Sequence, residues 1–181
     1  MPDPARSIKP LAVTAALVAG VATCTLEILE ARPDVEAIVV PVGGGSGAAA
    51  ACLVAKAVRP SIEVIGVQSE AAPAAYRSWR SGALVEDTTS TFAEGLATRT
   101  AFELPQQVMR DHLDDFVLVS EAALRHATRL MIAKTRNLVE PAGAAPLAAV
   151  LADPGRFKGR NVALICSGGN ISPAQLAALL A

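Results

Sequence analysis

Val40-Pro41-Val42-Gly43-Gly44-Gly45-Ser46-Gly47-Ala48 is the stretch on which the reading of this chain turns. A β-branched run from Ala37 to Val42 stops at a turn of four glycines and one serine, and an alanine-rich segment from Ala48 to Val58 follows. The pattern is that of a buried strand, a tight turn and a helix. A residue without a Cβ can take positive φ and lets a ligand approach the main chain. The turn amides, with the N–H groups of the first helical turn, make an anion site suited to phosphate. A strand-to-helix connection that binds nothing has the same local pattern and stands as the plain alternative.

Around this stretch the alternation of strand and helix recurs. Upstream, a helix ends near Ala31, where Arg32-Pro33-Asp34 breaks it. Downstream, Glu63 to Val67 reads as a second strand, followed by a helix through residues 71–80 and a Thr- and Gly-rich loop over 82–100. Phe116 to Val119 is a third strand. Ser120 can cap the next helix, which is expected to reach about Asn137, and Glu121 is well placed against its dipole. A further helix is expected after Pro146, a fourth strand over Asn161–Cys166, and a last helix opening at Ser172-Pro173. The fold class that follows is α/β, a three-layer parallel sheet with helices on both faces.

Composition fits and narrows this. Of 181 residues, 52% are hydrophobic but only 3% aromatic, so the core must be built from Ala, Val, Leu and Ile. With 16 basic against 17 acidic residues, nothing points to nucleic acid or to an anionic membrane surface. Cys24, Cys52 and Cys166 lie in apolar stretches without CxxC spacing and read as buried free thiols of a reducing, cytoplasmic compartment. No metal site is expected, because His112 and His126 are remote from every cysteine. Arg6 and Lys9 ahead of the apolar run Leu11–Ala22 imitate a secretory leader. That run passes into Leu26 and Leu29 at helical spacing and reads as a helix too short to span a membrane.

Other readings compete for the glycine turn. A P-loop fails, because no lysine follows until Lys56. A dinucleotide fingerprint fits in part through Gly43, Gly45 and Ala48, with Glu70 some way downstream. A nucleophile elbow around Ser46 is a looser match, with Ala48 where a glycine belongs and only His112 or His126 as base.

Three later segments lie in order with the glycine turn. They are Ala93-Glu94-Gly95-Leu96-Ala97-Thr98-Arg99, Leu138-Val139-Glu140-Pro141-Ala142-Gly143-Ala144 and Cys166-Ser167-Gly168-Gly169-Asn170. Together the four resemble the fold type II pyridoxal-phosphate enzymes, and within them the threonine/serine dehydratases (threonine ammonia-lyases) and hydroxyectoine-utilisation dehydratases; serine racemase shares the scaffold. Ala19-Gly20-Val21-Ala22-Thr23 also resembles the family's Ala-Gly-Gln-Gly-Thr, without the Gln and the second Gly. The likeness covers residues 19–181 as the C-terminal portion of that fold, with 1–18 an atypical leading segment. It implies pyridoxal 5'-phosphate as cofactor, with its phosphate held by Gly43, Gly44, Gly45, Ser46 and Gly47. In that reading Ser46 replaces a fourth glycine, Glu140 lies beside the cofactor, Ser167 faces its pyridine nitrogen, and Gly95 is on the substrate side.

The implied reaction is β-elimination from a small hydroxy-amino acid to a 2-oxo acid and ammonia. The family's Schiff-base lysine lies in a Ser-x-Lys-x-Arg-Gly segment upstream of the glycine loop. Ser7-Ile8-Lys9 matches it only superficially, since Pro10 follows and Gly43 is too near. Lys56, Lys134 and Lys158 are expected on surfaces. The chain is therefore expected to be inactive alone, and to act as an oligomer or with a complementing N-terminal half. A non-catalytic phosphate-ligand binder and a nicotinamide-binding domain are the alternatives. Racemases that bind a divalent cation carry carboxylates where this chain has Gln68 and Ala74, so the resemblance implies no metal here.

Overall fold

β1 (Ala37–Pro41) and β2 (Glu63–Ser69) form the middle of a four-stranded, all-parallel sheet. The computed structural model describes residues 15–180. Arg6, the Ser7-Ile8-Lys9 stretch and the start of the apolar run lie outside the described residues. β3 (Asp115–Val119) flanks β2 and β4 (Val162–Leu164) flanks β1, giving the order β3-β2-β1-β4. In register, Ala37 stands beside Glu63 and Val162, and Gly66 beside Phe116.

Strand alternation divides the core into two layers. Ile38, Val40 and Val64 pack on the side of α1 (Ala15–Ala31), α2 (Ser46–Val58) and α4 (Glu103–His112), with Cys52, Ala55 and Met109. Val39, Ile65 and Val67 pack on the other side, against α5 (Glu121–Thr135), α6 (Pro141–Ala152) and Phe157 of the short α7 (Pro154–Phe157). Four consecutive alanines of α2, Ala48 to Ala51, are fully buried, as expected of a core that uses small residues for close approach. The expected helices on both faces are therefore present. α3 (Ala74–Ser81) follows β2, and α8 (Pro173–Leu180) ends the described chain. No described helix is long and apolar enough to cross a membrane.

The sheet places the site. From β1 the chain moves to β2 and β3 on one side, whereas β4 joins β1 on the other. Strand order reverses at the β1/β4 seam, and the crevice outside the carboxyl ends of the strands at such a seam is where open α/β sheets bind ligands.

Several local expectations change. α6 begins at Pro141, not beyond Pro146, and Pro146 sits inside it. Pro141 suits the first turn, where no N–H is needed. Pro146 deprives the Ala142 carbonyl of its intrahelical donor, yet all residues from Pro141 to Pro146 are buried, so packing maintains the helix. β4 spans only Val162–Leu164; the Ile165 amide makes one more bond to the Val39 carbonyl (3.0 Å), and the chain then leaves the sheet. α4 covers Glu103–His112, a stretch for which the sequence reading gives no element. Cys52 is buried as expected, and burial pushes its thiol up to about 12. Cys24 and Cys166 are exposed instead, because both stand at the rim of the crevice rather than in the core.

Candidate functional site

The glycine turn leaves β1 at its carboxyl end and opens directly into α2. Gly45 is the residue before the helix, with φ +91°, in the left-handed region that a side chain disfavours. Gly43 has a different requirement: a Cβ there would run into the carbonyl oxygen of Gly95. The Ala49 amide donates to the Gly45 carbonyl at 2.9 Å. The amides of Ser46, Gly47 and Ala48 belong to the first turn, where no carbonyl of the same helix stands one turn back to accept them. Gly47 is exposed, and a Cβ there would meet nothing closer than Val40 Cγ2 at 4.0 Å.

Across the seam, the segment after β4 carries Cys166, Ser167 and Gly168, all exposed or half-buried. The Gly168 carbonyl accepts the Glu140 amide at 3.1 Å, which ties the start of α6 to this segment. Glu140 is the residue before α6, with extended backbone and no capping bond from its side chain. Its carboxylate lies over Gly168, whose missing Cβ leaves it room, and Oε2 stands 3.7 Å from where a Cβ of Gly95 would be. Gly95 is in the 3₁₀ turn Glu94–Leu96, which is brought against the glycine loop by Thr98 Oγ1 donating to the Gly43 carbonyl at 3.3 Å.

All eight residues singled out from the sequence thus line one cavity of about 510 Å³: Gly43, Gly44, Gly45, Ser46, Gly47, Gly95, Glu140 and Ser167. Sequence reading missed its third wall, in which Val21, Cys24 and Thr25 of α1 face the same space. The only signal for that wall was the Ala19–Thr23 likeness, which includes Val21 and ends beside Cys24. The cavity presents helix N-terminal amides on one side, a single carboxylate on another and a serine hydroxyl beyond, with apolar surface from Val40, Ile165 and Ala142 between. Such an arrangement can hold an anionic group at α2 and a flat, largely apolar body against the rest.

Among the described residues no lysine lines this cavity. Lys56 lies near the far end of α2, about 15 Å along the helix from Ser46. It is half-buried, not at the surface as expected, because its ammonium donates to the carbonyls of Pro60 (3.3 Å) and Ile62 (2.7 Å) and to Asp114 (2.7 Å). Lys134 and Lys158 are exposed. Neither His112 nor His126 lines the cavity, so Ser46 has no imidazole beside it. Glu70 is exposed just beyond β2.

Comparison with known proteins agrees with this geometry. The family model described as "Pyridoxal-phosphate dependent enzyme" matches residues 7–168. The chain is 33% identical to the beta-hydroxyaspartate dehydratase of Paracoccus denitrificans, over 86% of this chain and 49% of that protein. It is 36% identical to the L-threonine ammonia-lyase of Thermotoga maritima, over 86% of this chain and 39% of that protein. Among solved structures, maize serine racemase superposes with a TM-score of 0.82 at 31% identity, covering 90% of this chain and 53% of that one. The chain spans about half the length, or less, of these relatives.

Proposed function

Because this chain belongs to the family of pyridoxal-phosphate-dependent enzymes, of the threonine dehydratase-like kind, we propose that its cavity holds the phosphate and the ring of pyridoxal 5'-phosphate for β-elimination from a small hydroxy-amino acid. Residues 19–181 are then the cofactor-binding domain, with 1–18 a preceding segment; α1 runs across that boundary. The observation that carries the reading is the glycine cradle at the α2 N-terminus, in the same cavity as Glu140 and Ser167.

The roles follow from the residues' chemistry. Gly43 to Gly47 and the first-turn amides of α2 would bind the phosphate dianion, with the helix dipole adding to the attraction. Ser167 would hydrogen-bond the pyridine nitrogen. Its hydroxyl stays neutral near pH 7, so unlike a carboxylate it does not hold a positive charge on that nitrogen. Glu140, whose backbone N–H donates a hydrogen bond to the Gly168 carbonyl, would flank the ring, and Gly95 would form the edge where substrate enters. When bound, the cofactor supplies the electron sink that permits loss of the Cα proton and of the β-hydroxyl. In the family to which this chain belongs a lysine holds the cofactor and moves that proton, and none of Lys56, Lys134 and Lys158 lines the cavity. The chain alone is accordingly proposed to be inactive toward serine and threonine, and to gain activity from a complementing N-terminal half or an oligomeric partner. The same observation supports a second reading, a non-catalytic binder of phosphate ligands. Membership of this family favours pyridoxal phosphate over a dinucleotide.

The test titrates the protein with pyridoxal phosphate and with inorganic phosphate by calorimetry, and repeats both with Gly44→Val. A Cβ at Gly44 would stand 3.2 Å from Phe102 Cε2, so the larger side chain must disturb the turn. Binding by the parent protein and its loss in a folded variant are expected; equal affinities would refute the site. Release of 2-oxo acid from serine or threonine is then followed for the chain alone and together with a relative's N-terminal half. Turnover by the chain alone would refute the proposed inactivity. Binding with no turnover in either arm would favour the non-catalytic reading.

A further inference from the structure

The segment that lines the cavity beside Glu140 through Gly95 and Leu96, residues 91–98, contains one short 3₁₀ turn and no strand. Its place is nevertheless defined closely enough for the Gly95 carbonyl to pack against Gly43. We propose that Glu121 is the positioning residue for this wall, an inference that rests on the cofactor reading above and extends it.

A glutamate in the first turn of a helix ordinarily needs nothing but solvent, because its charge complements the dipole from an exposed position. At α5 the cap is already provided by Ser120, whose Oγ accepts the Ala123 amide at 3.2 Å. Glu121 instead turns its carboxylate into the protein and accepts three bonds from two other segments. Ser69 Oγ, fully buried at the end of β2, donates to Oε1 at 2.5 Å. Thr91 Oγ1 donates to the same oxygen at 2.7 Å, and the Phe92 amide donates to Oε2 at 3.0 Å. The first two fall in the range of short bonds to an ionised acceptor.

The tether propagates toward the cavity in two steps. Thr91 Oγ1, oriented by its donation to Glu121, accepts the Ala93 amide at 3.1 Å. The Ala93 carbonyl then accepts the Leu96 amide at 2.8 Å, closing the turn that presents Gly95 and Leu96 to the cavity. One helical turn after Glu121, Arg125 places its guanidinium 4.1 Å from the centre of the Phe92 ring and covers the same segment. Two other side-chain anchors hold the segment: Gln68 to Thr98 to the Gly43 carbonyl, through neutral bonds of 3.4 and 3.3 Å, and the exposed Glu94 carboxylate, which accepts a single bond from Gln175 Nε2 at 2.7 Å. Glu121, half-buried and with three donors, is therefore expected to dominate.

The test compares wild type, Glu121→Ala, Glu121→Gln and Thr91→Val. Amide hydrogen exchange is read by mass spectrometry, and affinity for pyridoxal phosphate by calorimetry. In Glu121→Ala, exchange over 91–98 should accelerate about tenfold or more, with β1 and α2 unchanged, because only the local opening is affected. Affinity for pyridoxal phosphate should fall by a comparable factor, about tenfold, from the loss of charge-assisted bonds. Glu121→Gln retains an acceptor oxygen and should recover part of both effects. Thr91→Val removes one donor to Glu121 and the acceptor of the Ala93 amide but leaves the Ser69 and Phe92 bonds, and should shift both readouts in the same direction by less. Unchanged exchange over 91–98 would overturn the proposal, as would uniform acceleration throughout the sheet. So would a loosened segment whose affinity for pyridoxal phosphate stays within twofold of wild type. If wild type binds no pyridoxal phosphate, the cofactor reading fails separately, and the exchange pattern judges the tether by itself.

Discussion

Two neighbouring glycines of the turn should respond to the same substitution with opposite sign. Gly45→Ala forces a side chain into φ +91°, and its Cβ would stand 2.9 Å from Pro105 Cβ and 3.2 Å from Met109 Cε. The backbone part costs about 1–2 kcal/mol for an L-residue in the left-handed region. The overlap adds roughly 1–3 kcal/mol, because Pro105 is rigid and Met109 is fully buried in α4. The sum, about 2–5 kcal/mol, should appear as a lower midpoint in urea unfolding followed by circular dichroism. Gly47→Ala is the counterpart. Gly47 is helical, without positive φ, and its new methyl would meet only Val40 Cγ2 at 4.0 Å. Replacing a helical glycine should raise stability by up to about 0.5–1 kcal/mol. The same methyl would stand in the cavity where a phosphate has to approach the amides, so affinity for inorganic phosphate should drop at least about tenfold, or 1.4 kcal/mol. The crossed outcome is the test. If Gly47→Ala leaves phosphate affinity unchanged, the cradle is a connection and not an anion site. If Gly45→Ala is as stable as wild type, the strain argument is wrong.

Three further outcomes are expected. Partial burial would push the Glu63 carboxyl up, but Arg156 and Arg160 beside it hold it below its ordinary value of 4.5; the stability this contributes is present above that value and lost as pH falls through the lowered one, so Glu63→Gln should flatten the acid limb of a stability–pH curve and leave neutral behaviour nearly parallel to wild type. Cys24 and Cys166 should react with a thiol-specific chromogenic disulfide at pH 8, whereas Cys52, buried and with its thiol pushed up to about 12, should react only on unfolding; three fast thiols in the folded protein would contradict the packing of α2. Gln68 is fully buried, accepting the Tyr76 amide at 3.0 Å and donating to Thr98. Magnesium or calcium should therefore leave the melting temperature unchanged, since hard cations favour charged oxygen ligands; a metal-dependent rise abolished by Gln68→Leu would show that the amide ligates a cation.

The parts of this molecule legible in the sequence were those whose cause is local. A run such as Ile38-Val39-Val40 next to four glycines can hardly be anything but a buried strand entering a turn, and the sheet class follows from its repetition. That the eight singled-out residues line one cavity has a related reason. Each lies immediately after a strand, at a helix start or in a tight turn, and a parallel sheet gathers such positions at its carboxyl edge. What failed depended on distant partners. Pro146 looked like a helix start because a proline removes a donor, and only the burial of Pro141 to Pro146 overrides that local rule. Cys24 and Cys166 sit in apolar sequence, yet their exposure is decided by α1 and the segment after β4 meeting at a crevice. Glu121 shows the limit most clearly. Its position after Ser120 gave a complete local explanation, a first-turn acid at a capped helix, and nothing nearby suggested more. The donors that redirect its carboxylate are Ser69, 52 positions away, and Thr91, 30 positions away. A charge that the helix dipole already accounts for hides any second role in the sequence, and that role becomes visible only when the loop it anchors is seen to form a wall of the site.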